Sequence, residues 1–287
     1  MGLLDNKVAV ITGSSRGLGL AMAQAFASEG ASVVLASRSE ASVQQAVATV
    51  RAASRGAQAS GMACDTSQLA QVEALADHAC KMFGRCDIWV NNAGISPPYG
   101  PTVHVQPEVF IQATQTNVLG TYYGSVVAMR HFLPQKSGKL INILGAGARG
   151  PVAMQNAYGS SKAWIRNFTL ALAQEYKESG VGIFAFSPGM MVTEMLTKVE
   201  VVAGYEERLK SFPTVVRVLG KPPEVPARKA VWLASLATDG RTGLEVYLFN
   251  PLAALASFVR DRVRQLTGQR DDVPDIKITP ISPAIQF

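Results

Sequence analysis

Cysteine and histidine are scarce in this sequence, and neither is spaced to build a site. Cys64, Cys80 and Cys86 are an odd set without ligand spacing, which speaks against a disulfide framework and a zinc site alike. His78, His104 and His131 have no acidic or cysteine partner at ligand spacing, so no metal is expected. No apolar run reaches the ~18 residues that span a bilayer. The opening Met-Gly-Leu-Leu-Asp-Asn-Lys passes at once into an apolar stretch, with no room for a leader and cleavage site. These absences predict a reducing, cytoplasmic setting and no transmembrane segment. Charge is sparse, at 17% of residues with a net +6, and apart from Arg260, Arg262 and Arg264 the basic residues are scattered, so no nucleic-acid partner is expected. Ser14 and Ser15 stand in no nucleophile-elbow context, which disfavours a hydrolase.

Hydrophobic residues, by contrast, make up 48% of the 287, enough for a sizeable core. Short β-branched runs at 7–12, 32–37, 58–64, 87–91, 138–144, 182–187 and 244–249 alternate with helix-period stretches at 18–28, 40–55, 69–83, 107–133 and 157–179. That alternation predicts an α/β fold: a single Rossmann-type, doubly wound domain over residues 1–250, with a seven-stranded parallel sheet and helices on both faces. Residues 195–223 read as one or two helices inserted after the sixth strand, where an insertion borders the ligand crevice and makes a candidate substrate lid. Residues 251–287 form a C-terminal helical extension and tail. Its helix, 252–266, sets Leu255, Phe258, Val259, Val263 and Leu266 against Arg260, Arg262 and Arg264, and Pro274, Pro280 and Pro283 follow. The body of the domain or a sister subunit is the first-choice partner for its apolar face, a membrane surface the second.

Directly after the first strand comes Thr12-Gly13-Ser14-Ser15-Arg16-Gly17-Leu18-Gly19, where a helical pattern begins. A tight turn needs Gly13, close approach to a pyrophosphate favours Gly17, helix-to-strand packing favours Gly19, and the first amides of the helix face the anion. With Ser15, Arg16 and Leu18 these residues are the candidate phosphate cradle of a dinucleotide. At the end of the second strand, where a carboxylate would bind the adenosine ribose, stand Ser37 and Arg38. A guanidinium suits a 2′-phosphate, and Arg16 is close enough in the loop to join it, so NADP(H) is expected in preference to NAD(H).

Tyr158 and Lys162, in Tyr158-Gly159-Ser160-Ser161-Lys162, lie four apart on one helix face. A fixed ammonium beside a phenol is expected to lower the phenol's pKa, making Tyr158 a candidate general acid or base for carbonyl chemistry. Together with the glycine loop, Asn91-Asn92-Ala93-Gly94, Asn117, and Pro188-Gly189 with Thr193, this motif resembles the short-chain dehydrogenase/reductase family from residue 5 to about 250. The resemblance implies an oxidoreductase in which Tyr158, Lys162 and Asn117 are catalytic, Asn117 anchoring a proton-relay water. It also implies Asp65 and Thr66 beside the adenine, Asn92, Ala93 and Gly94 by the ribose, Pro188, Gly189 and Thr193 by the nicotinamide, and Lys162 on its ribose. Homodimers or homotetramers built through 107–133 and 157–179 are implied as well.

One position departs from the family. A serine is usual about thirteen residues before the tyrosine, and here Asn142-Ile143-Leu144-Gly145-Ala146-Gly147-Ala148 places Gly145 there. Losing one oxyanion donor costs roughly 2.7–4 kcal/mol. Three readings follow: a reactive substrate that Tyr158 alone can serve, a backbone amide or water in place of the hydroxyl, or a cofactor-binding protein of low turnover. The same segment, with Ser187 to Leu196 and Lys221 to Val225, is similar to the serine-lacking branch that includes chlorophyll b reductases, which implies a formyl group as one possible substrate. The expected crevice wall, Ile95, Pro97, Pro98, Tyr99, Ala148, Val152, Met154, Met190, Met191 and Met195, is mostly apolar, and Gln155 adds one polar group. A hydrophobic aldehyde, ketone or alcohol is therefore expected, with Gly145, Gln155, Met190 and Met195 touching it.

Overall fold

The computed structural model describes residues 2–54, 56–267 and 275–285. Its first strand, β1 (Val8–Thr12), is buried throughout: Val8 and Val10 enter one apolar cluster, Ala9 and Ile11 the other. A strand with two apolar faces is stable only between two helical layers. It is followed by α1 (Gly17–Ser28), β2 (Ser32–Ser37), α2 (Glu40–Ala53), β3 (Ala59–Ala63), α3 (Leu69–Phe83) and β4 (Ile88–Asn91). Next come α4 (Pro107–Ala113), α5 (Gly120–Gln135), β5 (Gly138–Ile143), α6 (Asn156–Glu175) and β6 (Val181–Ser187). The chain ends through α7 (Glu194–Thr197), β7 (Lys198–Val202), α8 (Phe212–Leu219), α9 (Glu224–Ala234), β8 (Leu244–Tyr247), α10 (Pro251–Leu266) and β9 (Lys277–Ile281).

Seven strands form one parallel sheet in the order β3-β2-β1-β4-β5-β6-β8. Helices α1, α2 and α9 close one face and α3, α5 and α6 the other. The direction of winding reverses between β1 and β4, and such a switch point opens a crevice at the carboxyl ends of the strands. This is the expected doubly wound architecture, with the helical extension α10 beyond it. Arg55 and Pro274, read as parts of the second helix and the tail, lie outside the described residues.

Two segments differ from expectation. The helix expected over 107–133 runs without a break from Pro107 to Gln135, but as α4, a π-helical stretch Thr114–Leu119, and α5. The inserted segment is not purely helical: it contains β7, whose parallel partner is β9 of the tail. Tyr99 joins them, donating its N–H to Glu200 O at 2.8 Å and accepting from the Val202 N–H at 2.9 Å. On the other side α10 packs on α8, where Arg217 and Asp261 pair at 2.9 Å with little exposure. The insertion and the extension thus form one cap whose parts hold each other. Among the described residues no helix is long and apolar enough to cross a membrane, and no His, Cys, Asp and Glu cluster could hold a metal.

Candidate active site

The glycine loop after β1 is held from below. Thr12 Oγ1 accepts the Asn92 and Ala93 N–H groups at 3.1 Å each, and Asn92 Nδ2 donates to the carbonyls of Thr12 at 2.9 Å and Gly13 at 3.0 Å. Asn92 therefore braces the loop. Gly13 and Gly17 have φ of +62° and +56°, and a Cβ at Gly13 would come within 2.7 Å of the Ala93 Cα, so neither position accommodates a side chain without strain. Ser15 is half-buried, while Leu18 and Gly19 are buried at the start of α1. No side chain caps α1 and its first turn carries no acid, whereas α2 is capped by Ser39 Oγ accepting from the Ser42 N–H. The opening amides of α1 are thus available to an anion, and the loop fits a pyrophosphate.

Around this cradle the other predicted residues are arranged at strand ends. Ser37 is half-buried and Arg38 exposed. The nearby carboxylate of Glu40 is engaged by the Ala63 N–H at 2.8 Å and by Gln44. Asp65 Oδ1 accepts from the Ser67 N–H and hydroxyl, and Thr66 is buried against Gly120. Pro188 is buried and Gly189 is left-handed after β6. Thr193 lies over the cradle, its Cγ2 3.5 Å from where a Cβ of Gly17 would stand. Arg16 forms an ion pair with Glu194, which also accepts from Lys198 at 2.8 Å. Those hydrogen bonds and charges, Lys198 first, hold the Glu194 carboxyl below the usual range. Glu194 was not singled out from the sequence, although it follows Thr193.

The reacting end is built by β5, α6 and the π-helical stretch. Lys162 is buried and donates to Ile143 O at 3.0 Å, with its Nζ 5.5 Å from the Tyr158 ring centroid. Asn117 is fully buried: its Nδ2 donates to Ile95 O and Ser161 Oγ at 3.0 Å each, and its Oδ1 accepts from the Ile95 N–H at 2.8 Å. Its side chain thereby ties the exit of β4 to the second turn of α6. At Gly94 an added Cβ would lie 3.3 Å from Asn117 Oδ1 and 3.7 Å from Lys162 Nζ, which brings the three residues to one point. Beneath them Trp89 donates to Asn91, Asn91 to Asn142 at 2.8 Å, and Asn142 to Thr169 at 2.9 Å, a buried polar chain that ties β4 and β5 to α6.

Tyr158 leans against the position where the family's serine would stand. A Cβ at Gly145 would collide with the Tyr158 hydroxyl and reach within 3.0 Å of its Cζ. The phenol's pKa is not lowered as expected. Burial pushes it up to about 12, and the same burial brings Lys162 down to about 8. Desolvation outweighs the ammonium because Lys162 directs its charge to the Ile143 carbonyl and not to the phenol oxygen.

A groove is lined by Pro97, Pro98, Val105, Phe110, Met154, Gln155 and Ala157, the last of which precedes Tyr158. Met154 holds a left-handed backbone, φ +67°, with its carbonyl accepting from the Gly100 N–H at 2.8 Å. Gln155 Nε2 reaches Ser96 Oγ at 3.5 Å. Met190 and Met195 are not part of this wall: Met190 is half-buried with its carbonyl on the Lys221 N–H, and Met195 is exposed on α7. Val105 and Phe110, which no local motif signals, join it from the chain leading into α4 and from α4 itself.

Residues 7–201 match the short chain dehydrogenase family model, and the chain belongs to that family. It is an oxidoreductase of the kind that acts on carbonyl or alcohol groups with a nicotinamide cofactor. It is 36% identical over 247 residues to a 3beta-hydroxysteroid dehydrogenase 1 of Eggerthella lenta, covering 85% of this chain and 93% of the relative. It is 35% identical over 239 residues to a probable chlorophyll(ide) b reductase of Oryza sativa subsp. japonica, covering 77% of this chain and 46% of that longer protein. A crystal structure of 3-ketoacyl-(acyl-carrier-protein) reductase from Brucella melitensis complexed with NADH superposes with a TM-score of 0.76 at 29% identity, covering 85% of this chain and 97% of that one.

Proposed function

We propose that the protein is an NADP(H)-dependent reductase of a hydrophobic aldehyde or ketone, working in the cytoplasm. The observation that carries this reading is that Lys162 Nζ lies 5.5 Å from the Tyr158 ring centroid and beside Gly94, with an apolar groove ending at Ala157, the residue before Tyr158. The dinucleotide, when bound, supplies the hydride. Tyr158 gives its proton to the carbonyl oxygen, and Lys162 and Asn117 support the residues around it. Because Gly145 offers no hydroxyl, an aldehyde such as a formyl group, more electrophilic than a ketone, is the favoured substrate. A screen of aldehydes, ketones and quinones, followed by cofactor absorbance with the purified protein, tests the reading. Aldehyde-dependent oxidation of NADPH is expected, and cofactor binding without turnover of any carbonyl would favour a binding or sensing role instead.

The cofactor preference rests on Arg38, exposed at the end of β2, and on Ser37 in place of a carboxylate. Arg38→Ala should weaken NADPH binding roughly 10- to 100-fold, the value of one or two charge-assisted hydrogen bonds. NADH binding should change little, and fluorescence titration of both dinucleotides checks it; equal losses would remove the 2′-phosphate from the argument.

Association through α5 and α6 is the expected route to a homodimer or homotetramer. Trp164 stacks on Phe168 at 4.8 Å and Tyr122 meets Phe168 edge-on at 6.0 Å, while Trp164 and Tyr122 remain partly exposed. Trp164→Glu should shift the protein to monomer in sedimentation velocity. An unchanged distribution would place the contact elsewhere.

A further inference from the structure

The extension helix α10 is turned the wrong way round for a helix that belongs only to its own domain. Among its described side chains the half-buried ones are small or polar, Ala254, Ser257 and Asp261. Asp261, the helix's one acid in the sequence, is drawn inward by Arg217 of α8. Four large apolar residues face out, Leu252 at 78% exposed, Leu255 at 64%, Val259 at 58% and Val263 at 54%, while Phe258 beside them is 36% exposed. Their spacing of three and four residues lines them along a single stripe. Exposed Phe249 stands just before it. Arg260 and Arg262, both exposed, follow Val259 and precede Val263 by one residue, so they project about 100° to either side of the stripe.

We infer that this face docks on a bilayer rich in anionic lipid, the stripe entering the acyl boundary while Arg260 and Arg262 reach the headgroups. An apolar strip flanked on both edges by cations, with its acid hidden, is the charge arrangement such a surface selects. A second copy of the chain suits it less. The stripe from Leu252 to Val263 is about 18 Å long and about 10 Å wide, roughly 180 Å² against the ~800 Å² per partner of a stable interface. Because α10 rests on α8 within the cap over the crevice, docking would bring the groove to the source of a lipid-soluble substrate.

Co-sedimentation with vesicles tests this without any turnover, so its failure would leave the catalytic reading standing. The full chain should bind vesicles of mixed phosphatidylglycerol and phosphatidylcholine and not phosphatidylcholine alone. Leu255→Asp with Val259→Asp should abolish binding, and Arg260→Gln with Arg262→Gln should weaken it about 25-fold, at about five-fold per charge. All four positions are exposed, so the melting temperature should stay within the scatter of wild type. Absence of wild-type binding to the anionic vesicles, or undiminished binding of the Asp variant, overturns the inference. So does sedimentation velocity showing a wild-type dimer that the Asp variant converts to monomer.

Discussion

Tyr158→Phe should lower carbonyl reduction by about 10²- to 10⁴-fold, the range for loss of a positioned proton donor, while dinucleotide affinity changes little. The ring is retained, so the packing of α6 against the glycine-rich turn is kept and the missing atom is the hydroxyl that approaches Gly145. The direction of the pKa shift adds a second readout. A phenol raised to about 12 by burial is fully protonated at neutral pH, which suits proton donation, and its phenolate is scarce. Reduction should therefore be nearly flat from about pH 5 to 7 and change only as Lys162, brought down to about 8, loses its proton, whereas oxidation of the product alcohol should rise with pH as the base form of Tyr158 grows. Steady-state rates in both directions, with calorimetric titration of the dinucleotide, check the three statements. Unchanged reduction by the Phe variant would take Tyr158 out of the chemistry.

The parts of this site that were legible beforehand are those whose meaning lies within a few consecutive residues. The loop from Thr12 to Gly19 follows a strand and opens a helix, and Tyr158 and Lys162 are one helical turn apart, so local geometry alone brings each set together. The seven sheet strands were legible for the same reason, since β-branched runs between helices have one common solution. The pairing of β7 with β9 was not. Lys198–Val202 and Lys277–Ile281 are far apart in the chain, largely exposed and polar, the second carrying Pro280, and they stand outside the strand-helix alternation that marks the sheet strands. The π-helical stretch around Asn117 has no composition signature either. The sign of the Tyr158 shift was misjudged because spacing places an ammonium nearby but does not say which oxygen it faces, and here that oxygen belongs to Ile143. The ion pair from Arg16 to Glu194 is a related case, in which a cation read as free for phosphate is shared with the start of the cap.

Replacing Gly145 by serine ought, on the family pattern alone, to restore a missing donor and raise activity on simple ketones by about 100-fold or more. The packing predicts the reverse. Gly147, with φ +96°, lies directly on Gly159 of α6, so the turn after β5 and the first turn of the helix touch backbone to backbone and neither can withdraw. A Cβ at 145 then meets Tyr158 with no room to yield except by rotating the phenol. Displacing a reacting group by about 1 Å can cost on the order of 100-fold in rate, and overpacking a close contact typically costs about 1–3 kcal/mol of stability. Gly145→Ser and Gly145→Ala should both lose most of the turnover of aldehydes and both melt at lower temperature, the alanine serving to separate the effect of the Cβ from that of the hydroxyl. If the serine variant gains on ketones while the alanine variant does not, the hydroxyl has found its place and Tyr158 has adapted. If both lose together, the glycine is there because the tyrosine occupies the space, and the substrate has to be one that a single proton donor can serve.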